Sequence, residues 1–217
     1  MTSTSTSASH SASHSASHSD SVGFYQSSSS EQYRTYTLSF RYRFEAAHRF
    51  TQSCEDSCAT PHGHTWFAEA RFATDQDGLD ADDMVMEFSK LKRDFKRFIT
   101  ETVDHSFMHH QHDPILSALI EHIPKFRGLP FPGDPTTELI AALFFQKIET
   151  ILNALKTQEP DKAWPILHEL LIQETPTNGV SYRRPAHSKL LAKINSDFSG
   201  WWQVTDPCAR HIEPRNS

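Results

Sequence analysis

From Tyr36 onward the chain alternates strictly between apolar and polar side chains. Tyr36, Leu38, Phe40, Tyr42 and Phe44 interleave with Thr37, Ser39, Arg41, Arg43 and Glu45. A period of two puts every aromatic on one face, which predicts a half-buried antiparallel strand. A second strand is predicted from about His64 to Ala73, with Trp66, Ala68, Ala70 and Phe72 on its apolar face. The loop between them carries Cys54, Cys58 and Pro61. Asp75 to Asp83 is acidic, contains Gly78 and reads as a turn, and Met84-Val85-Met86 reads as a short third strand.

The period then changes. Phe88, Leu91, Phe95, Phe98, Ile99 and Val103 fall at helical spacing, with Lys90, Lys92, Arg93, Lys96 and Arg97 largely around the other face. A second helix is predicted to start at Asp134-Pro135, because Asp can cap and Pro suits the first helical position. Its apolar stripe runs from Leu139 and Ile140 to Leu152 and Leu155. A final strand from about Ile166 to Thr175 precedes the turn dipeptide Asn178-Gly179 and a return strand, Val180 to Arg183. This order predicts an α+β fold, with an antiparallel sheet and helices gathered on one face.

Composition narrows the class. At 217 residues and 37% hydrophobic, the chain suits one domain with tails and can bury a full core. A formal charge of -6, from 27 acidic and 21 basic residues, argues against nucleic acid or an anionic membrane as partner. No apolar run reaches the length of about 18 residues that a transmembrane helix needs. Three cysteines are too few for a disulfide scaffold and favour a reducing, cytoplasmic setting.

The 14 histidines are the unusual feature. Three of them, His10, His14 and His18, end a repeated Ser-Ala-Ser-His tetrad in residues 1–33. That stretch has almost nothing apolar to bury and reads as a disordered Ser/His-rich tail without the marks of a secretory signal. It carries Asp20 and Glu31 but no Lys or Arg, so the remainder of the chain has a charge of -4.

The candidate chemistry lies elsewhere. His48 ends the first strand and His62-Gly63-His64 opens the second. Residues two apart on a strand share a face, so His62 and His64 can converge on one ion, with His48 across from them if the strands pair. Three imidazoles without a fourth protein ligand would leave a position open, as in a catalytic Zn2+ site. A solvated histidine pair and a structural zinc knuckle of Cys54, Cys58, His62 and His64 remain alternatives. Against the knuckle, only one residue separates its histidines, where finger-type sites use three to five. Asp104-His105 ends the first helix, and Glu174 lies in the final strand, where a carboxylate on the polar face is the simplest reading.

Several motifs together resemble the 6-pyruvoyl-tetrahydropterin synthase family. They are Phe44-Glu45-Ala46-Ala47-His48, Cys58 followed by His62-Gly63-His64, Glu87-Phe88-Ser89-Lys90-Leu91-Lys92, Asp104-His105, Pro135-Thr136-Thr137-Glu138, and Glu174-Thr175 leading to Tyr182-Arg183. They stand in order over roughly residues 36–184. The three residues between Cys58 and His62 resemble the bacterial 6-carboxy-5,6,7,8-tetrahydropterin synthase branch of the queuosine pathway. The resemblance implies a T-fold catalytic domain over residues 34–184, assembled as a homo-oligomer, commonly a hexamer, with active sites between subunits.

It further implies Zn2+ on His48, His62 and His64. The implied reaction converts 7,8-dihydroneopterin triphosphate to 6-carboxy-5,6,7,8-tetrahydropterin, releasing acetaldehyde and triphosphate. By family position Cys58 would be the general base, His105 oriented by Asp104 a proton relay, Glu174 the pterin anchor and Thr137 a weaker pterin contact. Glu87 departs from the Asp usual at its position. The 29 residues from Ser106 to Asp134 form an insert holding His109, His110, His112 and His122, read as a polar loop. Residues 185–217 form an extension with Leu190, Leu191, Ile194 and Phe198 at helical spacing before Trp201-Trp202. A biopterin-type pyruvoyl synthase, a dihydroneopterin aldolase-like enzyme and a non-catalytic zinc-binding assembly protein are the alternatives.

Overall fold

The structure is a computed structural model and describes residues 36–52, 56–73, 84, 88–183, 189–210 and 212–214. These belong to one unit, Arg34–Ser217. The Ser/His-rich tail, Cys54, the acidic turn, most of the short third strand and Glu87 lie outside the described residues.

Strands β1 (Thr37–His48) and β2 (His62–Ala73) pair antiparallel over their full length, in a register that sets His48 opposite His62. The short helix α1 (Asp56–Ala59) lies between them. The alternation is realised physically: Phe40, Phe44, Trp66, Ala68, Ala70 and Phe72 are buried, while Thr37, Ser39, Arg41 and Arg43 face water. Helix α2 (Ser89–Arg97) follows and widens into a π-helical stretch, Phe98–Val103. The 22-residue helix α4 (Thr137–Gln158) packs beside it on the same face of the sheet. Strands β5 (Ile166–Gln173) and β6 (Gly179–Arg183) close the antiparallel part.

Residues 106–134 are not a polar loop. They form strand β3 (Ser106–His110), helix α3 (Leu116–His122) and strand β4 (Gly128–Phe131). β3 runs parallel to β1 and β4 parallel to β3, giving a six-stranded mixed sheet in the order β4-β3-β1-β2-β5-β6. Ser106, Phe107, Met108 and His109 are all buried, as expected of a strand covered on both faces. His109 is therefore a core residue, and burial pushes its imidazole pKa below the ordinary value.

The start of α4 also differs from the sequence expectation. Thr136 is the cap, its hydroxyl accepting from the Leu139 amide at 3.3 Å, and the Asp134 carboxylate is engaged elsewhere.

The C-terminal extension belongs to the core of this chain. Helix α5 (Lys189–Asp197) leads through β7 (Phe198–Gly200), which pairs with β8 (Ile212–Pro214), into a single 3-10 turn, Trp201–Gln203. Trp201 and Trp202 are both fully buried, and Trp201 packs against Phe98, Phe131 and Phe144. Lys147, on α4 and likewise fully buried, donates to the carbonyls of Trp201, Val204 and Asp206 at 2.9, 2.6 and 2.6 Å. Three acceptors match the three hydrogens of an ammonium, which offsets the cost of its burial. Among the described residues no helix is long and apolar enough to cross a membrane.

Candidate metal centre and active site

The antiparallel register of β1 and β2 brings the three sequence-predicted ligands together. One ligand atom each from His48, His62 and His64 lies within 4.8 Å of the others, and among the described residues this is the cluster suited to a metal ion. His48 is 1% exposed, and burial pushes its imidazole pKa down to about 4, so it is neutral at physiological pH and keeps a lone pair for a cation.

The ring tautomers decide whether an ion fits. His48 Nδ1 lies 3.0 Å from the Pro135 carbonyl, and His62 Nδ1 lies 2.8 Å from the Thr60 carbonyl. A carbonyl only accepts, so each Nδ1 carries the proton and each Nε2 presents a lone pair. Yet the two Nε2 atoms face each other at 3.1 Å. Two facing lone pairs repel unless a cation lies between them. Ligand nitrogens of a tetrahedral Zn2+ ion are about 3.3 Å apart, given Zn–N bonds of about 2.0–2.1 Å. His64 Nε2 is buried without a hydrogen-bond partner, a further unfilled valence at the same point. The residues fit the metal.

Glu174 follows the end of β5, and it is not a solvated residue of the polar face. Its side chain is 19% exposed, with Oε1 3.4 Å from His48 Nε2 and 3.8 Å from His64 Nε2. Burial lowers the pKa of His64, and the nearby Glu174 carboxylate partly opposes this.

Two cavities flank His64. One of about 520 Å³ is lined by His64, Glu174, Gln173, Thr175, Phe67 and Arg41, among others. In it the Arg41 guanidinium sits 4.4 Å from the centre of the Phe67 ring and donates to Gln173 at 2.8 Å. The other, of about 380 Å³, is lined by His64, Thr65, Glu45, Ala47 and His105, among others.

His105 is held by backbone geometry. The π-helical stretch ends in a bond from the Asp104 amide to the Ile99 carbonyl at 2.8 Å. His105 then takes a positive φ of 57°, uncommon for a side-chain-bearing residue. Its amide donates to the Glu45 carbonyl at 2.6 Å, while the Glu45 amide donates to Asp104 Oδ1 at 2.8 Å. Asp104 Oδ2 in turn accepts from His105 Nδ1 at 2.8 Å, which leaves Nε2 as the outward nitrogen of an exposed ring.

Cys58 lies on α1 with a free, half-buried thiol, and its carbonyl accepts from the Phe50 amide at 2.9 Å. Thr137 is buried in the first turn of α4. Neither residue lines the two cavities beside His64.

With this geometry established, sequence comparison decides the family. The family model described as 6-pyruvoyl tetrahydropterin synthase matches residues 37–185.

The chain belongs to that family.

Relatives named 6-carboxy-5,6,7,8-tetrahydropterin synthase include one from Aquifex aeolicus, 32% identical over 133 residues, covering 54% of this chain and 80% of the relative. Another, from Synechocystis, is 29% identical over 152 residues, covering 69% of this chain and 95% of the relative. Among solved structures, an uncharacterized protein from Wolinella succinogenes aligns with a TM-score of 0.52 at 20% identity, covering 69% of this chain and 98% of its own. The fold is the T-fold of the family: a curled mixed sheet with its helices packed against it.

The groups that orient these imidazoles are not legible in the sequence. Backbone carbonyls such as those of Thr60 and Pro135 leave no mark in composition or spacing. The Asp-Pro pair ahead of α4 marks the place but reads as a helix start, and its engagement with Thr51 emerges only in the folded chain.

Proposed function

We propose that this protein is a zinc-dependent lyase that converts 7,8-dihydroneopterin triphosphate to 6-carboxy-5,6,7,8-tetrahydropterin, releasing acetaldehyde and triphosphate. The observation that carries the reading is the convergence of His48, His62 and His64 beside the Glu174 carboxylate. The names of the matching relatives point to a 6-carboxytetrahydropterin product. His48, His62 and His64 would hold Zn2+, which would supply Lewis acidity toward the substrate's side-chain hydroxyls and the protons beside them.

The remaining chemistry belongs to the chain's own groups. Glu174 holds the pterin: a carboxylate accepts two parallel hydrogen bonds from the ring N–H and the 2-amino group. Cys58 takes the proton as the general base. His105, with Nδ1–H committed to Asp104, moves a proton at Nε2. Thr137 contributes a secondary pterin contact. The family resemblance adds a homo-oligomer, commonly a hexamer, with its active sites between subunits.

The test is incubation of the zinc-loaded protein with 7,8-dihydroneopterin triphosphate and identification of products by mass. The 6-carboxy product with stoichiometric acetaldehyde is expected. A pyruvoyl product without acetaldehyde would instead assign biopterin-type chemistry, and no turnover by a fully zinc-loaded oligomer would favour a non-catalytic role.

A further inference from the structure

We infer that Asp134 is a positioning residue, tying the loop that leads to Cys58 onto the same rigid point that orients the metal ligand His48. The inference rests on the reading of Cys58 as a catalytic residue in the proposed function.

The segment running from the triad to α1 begins Arg49-Phe50-Thr51-Gln52. Asp134 Oδ2 accepts from the amides of Thr51 and Gln52 at 2.8 and 3.0 Å, and Oδ1 accepts from the Thr51 hydroxyl at 2.6 Å. All three bonds span more than 80 residues of sequence. Next to this grip, the Phe50 amide donates to the Cys58 carbonyl at 2.9 Å. One carboxylate thus fixes the residues adjoining the bond that seats the cysteine.

The adjacent residue acts on the metal side. Pro135 offers its carbonyl to His48 Nδ1 at 3.0 Å. The dipeptide is itself held against α4, since the Thr136 amide donates to the Asp134 carbonyl at 2.8 Å and Thr136 caps the helix. A second tie runs in parallel: Arg49 forms an ion pair with the buried Asp113 at 3.3 Å. Residues 49–52 are therefore clamped from two points on the 106–134 segment. Each hydrogen bond that the Asp134 carboxylate accepts comes from an uncharged group of Thr51 or Gln52, so for this grip its shape matters more than its charge. Asparagine can keep them, its carbonyl oxygen accepting from both amides and its NH2 donating to the Thr51 hydroxyl. Alanine cannot.

The experiment compares zinc-loaded wild type with Asp134→Ala and Asp134→Asn. Zinc content, thermal midpoint and turnover are measured, with the iodoacetamide rate at Cys58 followed by peptide mass spectrometry. Cys208, which donates to Glu101 on another part of the molecule, is the internal reference. In Asp134→Ala the Cys58 rate is expected to rise about tenfold relative to Cys208, and kcat to fall about 10- to 100-fold, with KM and zinc content little changed. Asp134→Asn is expected to return both Cys58 reactivity and kcat to within about threefold of wild type. Unchanged Cys58 reactivity in Asp134→Ala overturns the inference. So does loss of zinc or of folding in both variants alike, which would make Asp134 a general structural anchor. If wild type turns over no pterin triphosphate while the alkylation pattern follows expectation, the proposed reaction fails and the positioning role stands.

Discussion

His48 and His62 meet Nε2 to Nε2 at 3.1 Å while both Nδ1 protons are already given to backbone carbonyls. Neither ring can donate to the other without losing its backbone carbonyl partner. The protein should therefore bind one zinc per chain, and His48→Ala should lose it. Metal analysis after dialysis against a weak chelator, with a melt in parallel, checks this. Wild type is expected to melt higher with zinc than without, because a ligand that binds only the folded state stabilises it. A wild-type protein without metal and with an unshifted melt would overturn the assignment.

Cys58 offers a clean division between two zinc architectures. With three imidazoles as the complete protein ligand set, Cys58→Ala should retain stoichiometric zinc and its melting temperature. It should lose turnover by at least about 100-fold, the scale of general-base catalysis. Loss of zinc in that variant would instead favour a structural knuckle.

His105 trades stability for placement. Its φ of 57° costs little for glycine but is unfavourable for a residue with a Cβ. His105→Gly is expected to fold with equal stability or a gain of about 0.5 kcal/mol, and to lose turnover about 100-fold. Urea unfolding and steady-state rates on the same preparation give both numbers, and a clear destabilisation would show that the strain is not there to be relieved.

Glu169 predicts an acid limb of stability. It is buried on β5 and accepts from Ser181, from Arg71 at 2.8 Å and from Arg183 at 3.1 Å. Burial alone pushes its carboxyl up, but these hydrogen bonds outweigh burial and hold it below the ordinary carboxylate value. A depressed carboxylate contributes stability that is complete above its unfolded value and lost as pH falls through the folded one. Glu169→Gln should cost about 1 kcal/mol at pH 7, and the gap from wild type should shrink as pH falls below 4.5. Denaturant melts across that range test the sign.

Lys147 and the C-terminal extension should fail together. Lys147→Met leaves the carbonyls of Trp201, Val204 and Asp206 without their donor, at a cost of about 3 kcal/mol. Cutting the chain before Trp201 exposes the faces of Phe98, Phe131 and Phe144 and is expected to yield insoluble protein. Solubility, melts and limited proteolysis report both effects.

The legible parts of the fold are those with one wet face. Phe40, Phe44, Trp66 and Phe72 advertise β1 and β2 because polar residues alternate with them. β3 lacks that signal, since Ser106 through His109 are all buried and a fully covered strand has no period of two. Asp134-Pro135 resembles a helix start, yet Thr136 takes the capping role while Asp134 binds Thr51, a partner that only tertiary structure supplies. The histidine triad is readable because strand spacing fixes which side chains share a face. Glu174 is not, because alternation alone cannot distinguish a carboxylate facing water from one facing two imidazoles.

The Lys147 contacts also set an order of events during synthesis. A nascent chain presents the α4 ammonium to its forming core before the acceptors exist, as they lie 54, 57 and 59 residues further along. Without those residues, burying Lys147 would leave its ammonium without acceptors, so the docking of α4 and that of the C-terminal extension are coupled.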